Sequence, residues 1–184
     1  MPEEQPEVLI SEAAIAAKTD ELAARISRDY DGVDDLILVG VLKGAFIFLA
    51  DLARQITVPH AVDFLATSHY GSGTTASGNV ALLTDVRCGL AGRPVLLVED
   101  ILDTGHTLDF LQRHVRGRGP SQLKTCVLVR KASRLQVDVR ADYVGFDIPD
   151  LWAVGYGLDF ADRWRTLPYI GVVPSEKTTG RDAG

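Results

Sequence analysis

The residues best equipped for chemistry in this 184-residue chain stand in one short stretch, Glu99-Asp100-Ile101-Leu102-Asp103-Thr104-Gly105-His106-Thr107. Three carboxylates fall within five residues, just after the apolar run Val95 to Val98 and just before a small-residue turn that opens a helix. Adjacent acids such as Glu99 and Asp100 can hold sugar hydroxyls or a hydrated divalent cation. Consecutive N–H groups from Thr104 to Thr107, backed by a helix dipole and two hydroxyls, form a concave nest that suits a phosphate. The plainer reading is an acidic loop in which Asp103 merely caps the helix. A phosphate turn alone is only moderately specific.

Such a stretch needs a scaffold that sets a loop beyond a buried strand end. Ser11 and Glu12 open a helix, the hydroxyl capping free N–H groups and the carboxylate facing the positive end of the dipole. Ile15, Leu22 and Ile26 then share one helical face. The run Leu36 to Leu42 reads as a strand buried on both faces. A helix from about Gly44 to Gln55 and a strand from roughly Ala61 to Ala66 follow. Thr67 to Asn79, almost all Gly, Ser and Thr around a His-Tyr pair, reads as a long loop of the kind that is usually functional. Val95 to Val98 is the strongest strand and ends in the acidic pair. The helix after it carries Leu108, Leu111 and Val115 on one side and stops at Gly117 and Gly119-Pro120. Further strands are expected at Leu123 to Val129, Tyr143 to Phe146 and Leu151 to Tyr156. Strands alternating with helices predict a parallel sheet covered on both faces, with ligands beyond the carboxyl ends of its strands. A haloacid-dehalogenase type phosphatase would need Asp-x-Asp-x-Thr at that strand end, and Glu-Asp-x-x-Asp-Thr does not fit.

Composition narrows the class. With 19 basic and 25 acidic residues the formal charge is 19 − 25 = −6, which argues against coating nucleic acid or anionic lipid. The longest apolar runs, Leu36 to Leu42 and Ala45 to Ala50, the latter closed by Asp51, fall far short of the ~18 residues of a membrane span. The acidic start MPEEQPEVL is unlike a signal peptide. Two cysteines, Cys88 and Cys126, lack metal-type spacing. These features predict a soluble cytoplasmic α/β domain over residues 8–173, with disordered tails at 1–7 and 174–184.

VEDILDTGHTL resembles the 5-phosphoribosyl diphosphate (PRPP) signature of type I phosphoribosyltransferases. VLKGAFIF around Lys43, the Ser/Thr/Gly stretch, VRKASR around Lys131, VGFDIPD and VGYGLDFADRWR resemble its 6-oxopurine branch, the hypoxanthine-guanine phosphoribosyltransferases. The resemblance implies a central mostly parallel sheet flanked by helices, a small hood built from N- and C-terminal segments, and a flexible flap. It implies transfer of the phosphoribosyl group of PRPP to hypoxanthine or guanine, with release of pyrophosphate, Mg²⁺ as cofactor, and a homodimer or homotetramer.

Residue by residue, the resemblance makes Asp103 the general base near N7 of the purine. Glu99 and Asp100 bind ribose hydroxyls directly and through magnesium, with Asp159 a second metal-site acid. The backbone of Asp103, Thr104, Gly105, His106 and Thr107 cradles the 5′-phosphate, His106 turning its side chain to solvent. Lys43 and Gly44 form the pyrophosphate loop, in which the Leu42–Lys43 peptide can be cis, and Arg165 is a further pyrophosphate contact. Lys131 donates to O6 of the base, Trp152 stacks on it, Ala153 meets its opposite edge through the backbone, and Ile101 lines the same pocket. The flap usually carries Ser-Tyr; here His69-Tyr70 occupies the pair with Ser68 one step earlier, so either Ser68 or His69 takes the flap contact. Alone, Lys43 reads as a solvated lysine, Lys131 as a surface charge, Trp152 as core or interface and Asp159 as solvated; their joint order raises each above that. Two alternatives share the fold: a transferase for xanthine or another base, and a PRPP-sensing RNA-binding regulator, which the charge of −6 disfavours.

Overall fold

Ser11 begins the first helix in the expected way: its Oγ accepts from the Ala14 N–H at 3.3 Å, and α1 (Glu12–Asp29) buries Ile15, Leu22, Ala23 and Ile26. The computed structural model describes residues 5–69 and 80–173. Strand β1 (Glu7–Ile10) precedes α1, and β2 (Leu36–Leu42), α2 (Phe46–Gln55), β3 (His60–His69) and β4 (Val80–Thr84) follow it. Then come β5 (Pro94–Leu102), α3 (His106–Arg116), β6 (Gln122–Arg130), β7 (Tyr143–Asp147), β8 (Ala153–Val154) and β9 (Ile170–Val172).

The main sheet has the order β4-β3-β2-β5-β6-β7 and is parallel except for the β3–β4 pair. Successive side chains of a strand face opposite sides, so the sheet feeds two cores. Leu36, Leu38, Leu96 and Val98 pack with Ile15, Leu22, Phe48 and Leu52 from α1 and α2. Ile37, Val39, Val95 and Leu97 pack with Leu108, Leu111 and Val115 from α3. Each side chain so buried contributes roughly 1.5–3 kcal/mol before chain entropy is set against it.

Several expectations need correction. Strand β5 does not stop at Val98; it runs through the acidic pair to Leu102, pairing Glu99 with Val127 and Ile101 with Val129. The two acids therefore sit on rigid strand rather than on a turn. Helix α2 starts at Phe46, which leaves Gly44 in the preceding loop. Only Ala153–Val154 of the stretch 151–156 is strand, and it belongs to a second sheet of order β1-β9-β8. That sheet is the hood, and it draws Glu7 into pairing with Val172 and buries Pro6 against Gly171. Residues 5–7 are thus part of the fold, whereas 1–4 and 174–184 lie outside the described residues. Among the described residues, no helix is long and apolar enough to cross a membrane.

Candidate active site

A cleft of about 450 Å³ opens beyond the carboxyl ends of β2 and β5 and contains Glu99, Asp100, Asp103, Thr104, Gly105, Thr107, Lys43, Gly44, Asp159 and Arg165 among its walls. Another cavity of about 410 Å³, between α1, α2 and residues 166–168, lacks the strand-end acids and loop amides. Glu99 is only 5% exposed, and its Oε2 finds no hydrogen-bond partner among the described residues. Burial, then the neighbouring Asp100, pushes the Glu99 carboxyl well above its usual range. Burial likewise raises Asp100 to about 6, although its own and the Ile101 backbone N–H groups and Arg165 act in the opposite sense. A buried carboxylate with an unpartnered oxygen, next to a second that is half-buried on the cleft wall, is unusual in a fold. Asp100 also fills the space beside Gly44, where a Cβ would come within 1.8 Å of Asp100 Oδ2.

The turn after β5 is shaped by Gly105. Its φ of +90° suits glycine, and a Cβ there would approach Val137 and Val139 to 2.8 Å. It precedes the first residue of α3, so the free N–H groups of the helix start and the positive end of its dipole border the cleft. The His106 side chain is half-exposed, with Nε2 3.1 Å from Gln136 Oε1 in an exposed contact.

A smaller space of about 200 Å³ adjoins the cleft, between Ile101, Asp103, Lys131, Trp152, Ala153 and Leu158. Lys131 is no surface charge; its side chain is 8% exposed, with Nζ 3.7 Å from both Asp103 Oδ2 and Asp150 Oδ1. Trp152 is 51% exposed and meets Phe160 edge-on at 5.3 Å between ring centroids. Its carbonyl accepts from the Val173 N–H at 3.0 Å, while Ala153 pairs with Val172 in the hood.

On the opposite side the cations are already engaged. The Leu42–Lys43 peptide is cis. Lys43 Nζ donates to Asp162 Oδ1 at 3.2 Å, and Arg165 Nη2 reaches Asp159 Oδ1 at 2.8 Å and Asp162 Oδ1 at 3.1 Å. Arg165 Nη1 donates to the Gly157 carbonyl at 2.8 Å. The Asp162 N–H donates to Asp159 Oδ2 at 2.7 Å, fixing the acid that the sequence singles out.

Apart from His106, the candidate residues outside the flap line this cleft and the space adjoining it. Ser68 and His69 belong to β3 rather than to a loop, and the buried Ser68 Oγ has no partner among the described residues. Tyr70 and the remainder of the expected flap, up to Asn79, lie outside the described residues. Sequence reasoning passed over Arg134, Asp150 and Asp162. Asp150 stands two residues before Trp152 and Asp162 three before Arg165, so each was adjacent to a residue already singled out.

Strand-end acids, an amide turn and a lysine-aromatic pocket together define a nucleotide-forming site, and comparison with known proteins agrees. The phosphoribosyl transferase domain model matches residues 9–161, and the chain belongs to that family, in its hypoxanthine-guanine branch. A hypoxanthine phosphoribosyltransferase of Salmonella typhimurium is 46% identical over 168 residues, 91% of this chain and 94% of its own. A hypoxanthine-guanine phosphoribosyltransferase of Dictyostelium discoideum is 42% identical over 173 residues, covering 92% and 96% of the two chains. The crystal structure of a hypoxanthine-guanine phosphoribosyltransferase from Bacillus anthracis superposes with a TM-score of 0.88 at 44% identity, over 93% of this chain and 100% of that one. The resemblance carried by VEDILDTGHTL is borne out.

Proposed function

We propose that this protein is a purine-salvage transferase that moves the 5-phosphoribosyl group of PRPP to N9 of hypoxanthine or guanine, giving IMP or GMP and pyrophosphate. The observation that carries this reading is the buried ammonium of Lys131 beside the Asp103 carboxylate, facing a half-exposed tryptophan across a space open to the acidic strand end. An ammonium offers donors only, which matches the O6 acceptor of a 6-oxopurine. Asp103 Oδ2 accepts the proton at N7, Trp152 covers a face of the ring, and the backbone at Ala153 meets the far edge. The amides of residues 103–107 receive the 5′-phosphate. Lys43 and Arg165 turn from Asp162 to the departing pyrophosphate, so that an oxocarbenium-like transition state forms against preorganised charge. The half-buried cleft limits access of water to the sugar.

The residues also suit Mg²⁺. Among the described residues no three acidic, histidine or cysteine groups gather into a metal cage. Mg²⁺ does not need one, because it commonly takes one or two carboxylates and completes its shell with substrate oxygens and water. The orphaned Glu99 oxygen and the raised Asp100 carboxyl are groups that a cation would satisfy, with Asp159 across the cleft. When bound, the ion neutralises charge on PRPP and on the leaving pyrophosphate. By the same resemblance the working form is a cytoplasmic homodimer or homotetramer. Incubation with PRPP, Mg²⁺ and a panel of bases tests the reading: nucleotide and pyrophosphate should appear with hypoxanthine and guanine and hardly at all with adenine. Turnover confined to xanthine would reassign the base, and no pyrophosphate with any base would remove the enzymatic reading.

A further inference from the structure

Arg134 reaches the site from a segment whose place is fixed by the backbone. It ends the short 3-10 turn Ala132–Arg134 that follows Lys131, and its N–H donates to the Lys131 carbonyl at 2.9 Å. Two further bonds strap the segment to the end of β5 and the turn beyond it: Lys131 N–H to the Leu102 carbonyl at 2.9 Å, and Gln136 N–H to the Thr104 carbonyl at 3.0 Å. Leu135, Val137 and Val139 pack against Gly105 in the same turn. The Arg134 backbone is thereby registered against that of Asp103. From this base its Nε donates to Asp103 Oδ1 at 3.0 Å, while Nη1 lies 3.5 Å from Asp150 Oδ2. The other oxygen of Asp103, Oδ2, is the one nearest Lys131.

A carboxylate at a strand end can rotate about its terminal bond. A guanidinium holding one oxygen from a fixed direction leaves the second oxygen a single aim. Lys131 does not perform this task, since its Nζ stands 3.7 Å from Asp103, beyond hydrogen-bond reach, and is shared with Asp150. We propose that Arg134 is the positioning residue of the reaction: it fixes Asp103 through Oδ1 so that Oδ2 faces the N7 edge of the base. The inference rests on the reading of Asp103 given above. It makes the loop after β6 a two-cation device, in which Lys131 reads the base and Arg134 aims the carboxylate.

A kinetic double-mutant cycle tests it, using Arg134→Gln, Arg134→Lys and Asp103→Asn with hypoxanthine and PRPP. Arg134→Gln should lower kcat about 10- to 100-fold, the scale of a reacting group misplaced by about 1 Å, and change the KM for PRPP less than about twofold. Arg134→Lys keeps the charge without the planar fork and should recover part of the loss. In the Asp103→Asn background, Arg134→Gln should cost less than about twofold, because nothing remains to be aimed. Equal losses in both backgrounds overturn the inference, as does a defect confined to the KM for PRPP, which would mark Arg134 as scaffold for the phosphate turn. A crippled Asp103→Asn beside an unimpaired Arg134→Gln overturns the inference alone. Near-normal turnover of Asp103→Asn overturns the reading of Asp103 and the inference with it.

Discussion

The two ends of the central sheet use similar polar residues and treat them in opposite ways. Where β6 and β7 begin, Asp29, Lys124 and Tyr143 satisfy one another, although the buried Tyr30 hydroxyl beside them has no partner among the described residues. The Tyr143 hydroxyl donates to Asp29 Oδ2 at 2.6 Å, and Lys124 Nζ donates to the same oxygen at 3.0 Å and to Tyr143 Oη at 3.1 Å. The Arg25 guanidinium lies 4.9 Å from the centre of the Tyr143 ring. The Tyr143 bond, then the Lys124 bond, hold the Asp29 carboxyl below its usual range. Where β5 ends, Glu99 has an oxygen without a partner among the described residues, and burial raises both Glu99 and Asp100. A closed polar network stabilises the fold. An open one costs stability and leaves the groups ready for a ligand, a trade usual at functional sites.

The sharpest way to break this contrast is at Asp103, on the open end. Asp103→Asn keeps the shape of the side chain but cannot accept a proton. Turnover should fall by about 10²- to 10⁴-fold, with PRPP affinity changed much less. Steady-state kinetics with hypoxanthine decide it, and near-normal kcat would leave Asp103 a structural partner of Arg134.

Lys131→Gln comes next in size. The glutamine amide offers a donor and an acceptor, so it should weaken use of hypoxanthine and guanine and tolerate the amino group of adenine. The ratio of kcat/KM between hypoxanthine and adenine should shrink at least about tenfold, because buried polar groups no longer reject the wrong base so strongly. An unchanged ratio would mean that the purine edge is read elsewhere, most directly by the backbone near Ala153.

The contrast also separates what sequence reveals from what it hides. Strand β2 was legible to the residue, since an unbroken apolar run bounded by acids and a Lys-Gly pair has one reading. The acidic pair was legible as chemistry but misplaced as a turn. Carboxylates are expected at strand ends, and only the parallel pairing with β6 carries β5 through them. Strands β1, β8 and β9 are two to four residues long, too short for any periodicity, and form only because distant parts of the chain meet in the hood. The site was legible where the types were unusual together, as in Glu-Asp-x-x-Asp. Lys131 alone read as a surface charge because its burial and its approach to Asp103 and Asp150 arise only in three dimensions. Arg134 was hidden for the same reason: a three-dimensional contact with Asp103, 31 residues away in sequence, has no local signature.

Stability measurements sharpen the comparison from its open end. Glu99→Gln removes an ionisable group from a buried position beside Asp100, where burial already disfavours its charged form. The free protein should gain about 1 kcal/mol in thermal or urea unfolding while losing activity, the opposite pairing to a structural residue. A destabilised and still active variant would place Glu99 with the closed network instead.

The smallest expected effect tests the closed end. Asp29→Asn keeps the volume but loses the charge that the Tyr143 hydroxyl and Lys124 serve, and should cost about 1 kcal/mol near neutral pH with no change in kcat. The sign with pH follows from the direction of the shift. A carboxyl lowered in the folded state contributes stability that is fully present above its ordinary value of 3.8 and is lost as pH falls through the folded value. Wild type and variant should therefore differ in urea midpoint at neutral pH and converge on the acid side of 3.8. A constant gap across that range would show that Asp29 acts through packing and not through its charge. A gap that opened only on the acid side would reverse the sign and move the network's stabilisation from Asp29 to Lys124 and Tyr143 alone.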